Sequence, residues 1–294
     1  VVILLSYFEH TEDQEFAREV LLPIADAVTE FFDLHYPRDS NGRIRFEPAQ
    51  ALETWHWAVN PLPEIAGLTY LCQRLLDTTE PVRLDELHPC GTGLVQRCRR
   101  LLRELPPLPT GLRNGKSVVL PAERFDIKKN TENPELYCVF PYRLYGIGKP
   151  GLELARDTFA ARLHVEHTCW HQDVIQMACL GLAEDARQSL IHRASPDCHN
   201  GSRFPGFWNE FHDEVPDVDH GGVLQIALQM MLLQCDGRVI RLLPAWPRGW
   251  NADFKLHAPL RTVVSGSVRN GKIEDLRVTP SNRAKDVIVS EPFD

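Results

Sequence analysis

The chain lacks any run of about 18 uncharged apolar residues, the length that a membrane-spanning helix needs, which excludes a transmembrane reading. It also lacks a surplus of positive charge. Lys and Arg total 32 against 40 Asp and Glu, a net charge of −8, and the pI lies near 5.9. A nucleic-acid surface would need a basic face, so that partner class is not expected. No Cys-x-x-Cys pair occurs among the eight cysteines, which argues against a zinc ribbon or a thioredoxin-like site. Cys72, Cys98, Cys179 and Cys235 fall inside helical apolar patterns, where a free thiol behaves as a small buried hydrophobe. There is no Gly-x-Ser-x-Gly elbow, phosphate-binding loop or dinucleotide fingerprint, and no cofactor is expected. Internal repeats and low-complexity tracts are missing as well. Finally, the chain opens VVILLSYFEH, without Met and already inside an apolar helical pattern. It reads as a fragment or processed product, and a secreted or periplasmic location stays compatible with it.

What is present is a globular composition. With 43% hydrophobic and 24% charged residues over 294 positions, a sizeable core is expected in one large domain or two ordinary ones. Apolar periodicity predicts helices over 2–10, 13–35, 63–77, 93–104, 152–163, 168–194 and 222–234. Thr11 is the expected cap of the second, Pro23 its kink, and Gly181 the expected break in the sixth. Residues 108–149 read as irregular apart from a strand at 118–121. From Arg238 the pattern alternates, giving strands at 239–243, 254–256, 262–269, 273–279 and 286–289. Asn270-Gly271 marks a tight hairpin between two of them. The expected fold class is α+β: a helical region over 1–236 followed by an antiparallel β-domain over 237–294.

Four stretches carry candidate chemistry. In Phe46–Trp57, Glu53 stands close to Trp55, His56 and Trp57. An apolar aromatic surround would raise the pKa of a carboxyl and suit it to act as a general acid. A solvated loop or cap role is the bland alternative for Glu47 and Glu53. From Arg203 the chain runs RFPGFWNEFHDEVPDVDHGG, dense in aromatics (Phe207, Trp208) and carboxylates. Asp219 precedes the Gly pair that opens a helix, near free backbone N–H groups that favour an ionised base; equally, it could only cap that helix. His220 follows it. A calcium loop lacks the required glycine pattern there. Glu135 lies in an aromatic, acidic loop that resembles a substrate wall or an ordinary ion-paired surface. Trp170 and His171 lie near a helix start, where His167 and His171 are one turn apart. No third ligand accompanies them, so no metal site is expected. Carboxylates beside tryptophans suit sugars: rings cover pyranose faces while carboxylates bind hydroxyls or move protons.

Two blocks, FFDLHYPRDSNGRIRFEPAQALETW and DVDHGGVLQIALQMMLLQCDGRVIRLLPAWPRGW, resemble the glycoside hydrolase family 95 group, the α-L-fucosidases and their relatives. The run Leu242 to Pro247 is the most specific element. The resemblance implies an (α/α)6-type helical barrel, here partial, followed by a sandwich-like β-domain. It further implies an exo-acting, inverting glycosidase on an oligosaccharide or polysaccharide, with Glu53 as general acid and Asp219 activating water. Inverting chemistry would separate these carboxyls by about 6.5–9.5 Å. Trp55, Trp57, Trp170, Phe207 and Trp208 would wall the site, and His56, His171, His220 and Glu135 would bind hydroxyls. The chain departs from the family around both carboxylates: Ala51-Leu52 precede Glu53 in place of Ser-Pro, and His220-Gly221 follow Asp219 in place of Gly-Asn. Two alternatives stay open: a non-catalytic carbohydrate-binding protein, and a polysaccharide lyase using His or Tyr as its base.

Overall fold

The computed structural model describes residues 1–82, 87–165, 170–195 and 218–290. They form two compact units, Val1–Leu144 and Tyr145–Asp294.

The first unit opens with helix α1 (Val2–Thr11), which ends on Glu12 in the left-handed region. Its successor is capped by Asp13, whose Oδ1 accepts the Phe16 N–H at 3.0 Å. The expected cap, Thr11, instead turns its hydroxyl back onto the Tyr7 carbonyl. Helix α2 (Gln14–Phe16) then passes through a π-helical turn, Ala17–Leu21, into α3 (Leu22–His35). Pro23 has no N–H to give and its ring crowds the preceding turn, so the helix widens there without a sharp break. The widened turn holds an extra residue and rotates the later part of the helix by about 100° relative to a continuous α-helix. That explains a difference from the sequence pattern. Apolar spacing over 13–35 puts Phe16, Val20, Leu21, Ile24, Val28, Phe31 and Phe32 on one core-facing stripe; of these, Ile24 and Phe31 are 42% and 52% exposed, while Leu21 faces inward together with Leu22, Ala25 and Thr29.

The core of this unit packs α1 and α3 against α4 (Leu62–Val82) and α5 (Gly91–Glu104), through Leu5, Phe8, Ile65, Leu68, Leu94 and Leu101 among others. Cys72 and Cys98 meet in that core as free, buried thiols. Asp33 ties α3 to α5 by accepting from Arg38 (2.5 Å) and Arg100, and Arg38 also reaches Glu104 at 2.8 Å. Strands β1 (Ala49–Ala51) and β2 (Trp55–Pro61) form an antiparallel hairpin. The hairpin β3 (Thr110–Arg113) and β4 (Lys116–Val119) turns on Asn114 and Gly115, both at positive φ. Next, β5 (Ala122–Arg124) and β6 (Ile127–Lys128) pair antiparallel with β2. Sheet is therefore present inside the region that periodicity read as helical. These strands are two to seven residues long, too short to impose a legible alternation.

The second unit carries α6 (Leu152–Ala160), α7 (Asp173–Leu180), α8 (Ala183–Ala194) and α9 (Val218–Leu232). Gly181, at φ 75°, ends α7 where a break was expected. Strand β7 (Leu233–Asp236) follows α9 directly and pairs with β8 (Val239–Leu242), on which β12 (Val287–Val289) lies parallel. Cys235 thus sits on a strand, contrary to its helical pattern. A second sheet joins β9 (Ala252–Ala258), β10 (Thr262–Arg269) and β11 (Lys272–Thr279) antiparallel. Asn270 and Gly271 both take positive φ between β10 and β11, as the hairpin signal required. The side-chain amide of Gln234 donates to the carbonyls of Ala178 (2.8 Å) and Met230 (2.9 Å), fixing β7 to α7 and α9. The run Leu242 to Pro247 is buried throughout. The Leu243 N–H bonds to Leu232 O at 2.8 Å and the Trp246 indole to Trp250 O at 3.0 Å, so this run anchors β8 beside the end of α9.

Candidate active site

Within the first unit, Glu53 occupies the turn between β1 and β2, where Ala51 pairs with Trp55 across it. Leu52 takes φ 52° to close the turn. Thr54 lies beneath, fully buried. Its hydroxyl donates to Glu132 Oε2 at 3.1 Å and accepts the Glu132 N–H at 3.2 Å. This clamp holds the turn, and Glu53 projects from it, exposed, with Oε2 accepting from Asn130 Nδ2 at 3.2 Å. The desolvating surround expected for Glu53 is not supplied by its tryptophan neighbour. The Trp55 ring packs edge-on to Phe125 at 5.1 Å, against a small cluster of Ala51, Ala58 and Ala122. Half-buried His56 pairs in the strand with Ile127. Trp57 takes φ 54° and is 68% exposed, which leaves a wide ring face open to a ligand.

Glu135, expected on the substrate wall, lies inside its own loop. It is buried and accepts from Arg113 Nη1 at 2.9 Å. Burial pushes its carboxyl above the ordinary range, and Arg113 only partly opposes that. A carboxylate enclosed with a guanidinium supports its own loop, where a wall residue would have to face a ligand.

A strongly perturbed carboxyl that sequence reasoning missed is Glu64, in the first turn of α4. It borders a hollow of about 280 Å³, and its Oε2 is buried without a hydrogen-bond partner among the described residues. Burial pushes this carboxyl up to about 8. The signal was ambiguous: Pro63-Glu64 is the ordinary start of a helix, and an acid in the first turn is common there.

In the second unit, Asp219 is exposed in the first turn of α9. The helix begins at Val218, ahead of the Gly pair, so Asp219 lies inside the first turn and not before it. His220 is fully enclosed. Its Nε2 lies 2.9 Å from the Arg193 carbonyl and its Nδ1 3.4 Å from Arg193 Nη2. Both ring nitrogens are thus engaged by Arg193, an arrangement that seats His220 in the packing of this unit. Arg193 is itself buried and donates to the His171 carbonyl at 3.2 Å. His171 is buried and stacks on half-buried Trp170, with ring centroids 5.5 Å apart. Phe207 and Trp208, and with them Asp213, Glu214, Asp217 and His167, lie outside the described residues.

A groove of about 680 Å³ in this unit is lined by Arg156, Asp157, Phe159, Arg162, Asp185 and His192 among others. Arg162 is held over the Phe159 ring at 3.8 Å while its Nε donates to buried Asp173 at 2.6 Å. Cations and carboxylates alternating around an aromatic floor offer donors and acceptors to a hydroxyl-rich ligand. No sequence motif singled this groove out, because its residues come from three helices and are ordinary surface types.

No protein-family model matches the chain, and no curated protein matches it. Its structure is similar to a solved one described as "Putative kojibiose phosphorylase from human microbiome". The likeness covers 92% of this chain and 41% of that one, at a TM-score of 0.61 and 12% identity. The fold is shared. The chain spans about two fifths of that protein's length. The likeness shows a mixed helix-and-sheet architecture and does not single out the family 95 group.

Proposed function

We propose that this chain is part of a carbohydrate-processing enzyme that cleaves glycosidic bonds. The observation that carries the reading is the shared fold, over 92% of the chain, with a protein described as a kojibiose phosphorylase. The family 95 resemblance of the two sequence blocks and the partial (α/α)6 barrel it implies belong to the same proposal.

In this reading Glu53 gives its proton to the departing glycosidic oxygen. Its place supports the role, since a turn clamped by Thr54 and Glu132 presents the carboxyl to solvent in a fixed direction. Asp219 takes a proton from the attacking water as that water's oxygen bonds to the anomeric carbon, with inversion. Trp57 offers a face for a pyranose ring, and Phe207 and Trp208 are the further wall candidates that the sequence supplies. The substrate is an oligosaccharide or polysaccharide. The test is turnover of a glycoside panel by the intact protein. Glu53→Gln is expected to lower kcat/KM by about 10²–10⁴, the usual worth of a general acid. Unchanged turnover in that variant removes Glu53 from the mechanism.

The neighbour's description favours one second reading, phosphorolysis. Inorganic phosphate then attacks the anomeric carbon in place of water, and the sugar leaves as its phosphate ester. No base need activate water, so Asp219→Asn would leave the rate nearly intact and product release would depend on added phosphate. Hydrolysis gives the opposite pair of results.

A further inference from the structure

The hollow beside Glu64 lies wholly within the first unit, among α1, α3, α4 and the loop that carries Tyr142. Its walls are mostly apolar, with Val28, Phe32, Leu52 and Leu68 among them, and no basic side chain of the described residues lines it. Two side chains make its polar side. One is Glu64, whose Oε2 is buried with no donor from the described residues. The other is Tyr142, whose ring lies across α4 at Gly67. A Cβ there would come within 2.9 Å of the ring, so the glycine is what lets the phenol rest on the helix. A carboxyl enclosed without a cationic partner is costly to keep ionised, and this one holds its proton through neutral pH. A protonated carboxyl is a strong donor that needs an acceptor.

We propose that this hollow is a binding site for a small uncharged molecule with an apolar ring and a single hydrogen-bond-accepting oxygen, held by donation from Glu64. The size fits: an apolar cavity of about 150 Å³ already takes benzene, and this one is about 280 Å³. A polyol does not fit the chemistry, because the apolar walls would leave most of its hydroxyls unmet. The site is independent of the glycosidic reading and stands whether or not the chain cleaves sugars.

Calorimetric titration of the intact protein with cyclohexanone, and separately with cyclohexylamine, tests it. Cyclohexanone, whose oxygen can only accept, is expected to bind roughly tenfold more tightly at about pH 6 than at about pH 9, because ionising Glu64 removes the donor. Tyr36 and Tyr142, the side chains that feel the Glu64 charge, are both pushed up by burial and then by that charge, and stay protonated over this range. Glu64→Gln isolates the contribution of this one carboxyl. The Gln variant keeps a donor, so it should bind cyclohexanone at both pH values with the tenfold ratio abolished. Glu64→Leu should bind at least tenfold more weakly, with circular dichroism and melting confirming its fold. Absence of cyclohexanone binding at both pH values, an unchanged pH ratio in the Gln variant, or tighter binding of cyclohexylamine with ionisation of Glu64 would overturn the assignment.

Discussion

At the scale of single residues, two glutamates eleven positions apart hold opposite states. Glu53 stands in solvent on a clamped turn; Glu64 is enclosed at a helix start. The sequence pointed to Glu53 because tryptophans adjoin it, yet adjacency along a strand does not make a surround. Successive side chains point to opposite faces, and the Trp55 ring went to Phe125. The enclosure of Glu64 has a measurable consequence. Its carboxyl rises from 4.5 to about 8 on folding. The folded state then binds the proton more tightly than the unfolded chain. Stability is full below pH 4.5, declines as pH rises from 4.5 towards about 8, and stays lower beyond. Glu64→Gln removes that dependence. In urea unfolding the variant should match the parent in acid and exceed it above the window by up to roughly 5 kcal/mol, the linkage value of such a shift.

At the scale of elements, breaks and caps were legible where one residue type suffices. Gly181 and the Asn270-Gly271 pair are such places, since positive φ favours glycine or asparagine. A Cβ on Gly181 would also come within 2.9 Å of the Ile147 side chain. Gly181→Ala should therefore cost about 1–2 kcal/mol in chemical denaturation. The phase of the α2–α3 segment was not legible. A π turn leaves no mark in periodicity beyond a stripe that stops fitting, and Phe31 was read as core for that reason. A polar tie adds to the apolar packing of α3 on α5: Asp33 accepts from Arg38 and Arg100. Asp33→Ala would take one carboxylate from Arg38, which keeps Glu104, and from half-exposed Arg100. A loss of about 1 kcal/mol is expected, read from the urea midpoint.

At the scale of the whole molecule, the sequence conveyed a mixture of helix and sheet, and the shared fold agrees with it. It also conveyed buried thiols. Cys72, Cys98 and Cys138 in the first unit and Cys179 in the second are enclosed as thiols. The neighbouring Cys98 sulfur, and then burial, pushes the Cys72 thiol upward, and burial does the same for Cys138. All four should resist alkylation in the native protein and react once denaturant opens the unit that holds them. Mass spectrometry of pulse-labelled peptides would then report the opening of each unit separately.

The sequence by itself determined the β-rich end, the Gly181 break and the burial of Cys72, Cys98 and Cys179, though not of half-buried Cys235, because each rests on local conformation or composition. Only the tertiary structure decided which side chains are enclosed. Pairing Glu135 with Arg113, seating His220 on Arg193 and leaving Glu64 Oε2 without a donor among the described residues all join residues remote in the chain or depend on surrounding walls. Burial belongs to the assembled packing, and no local pattern records it.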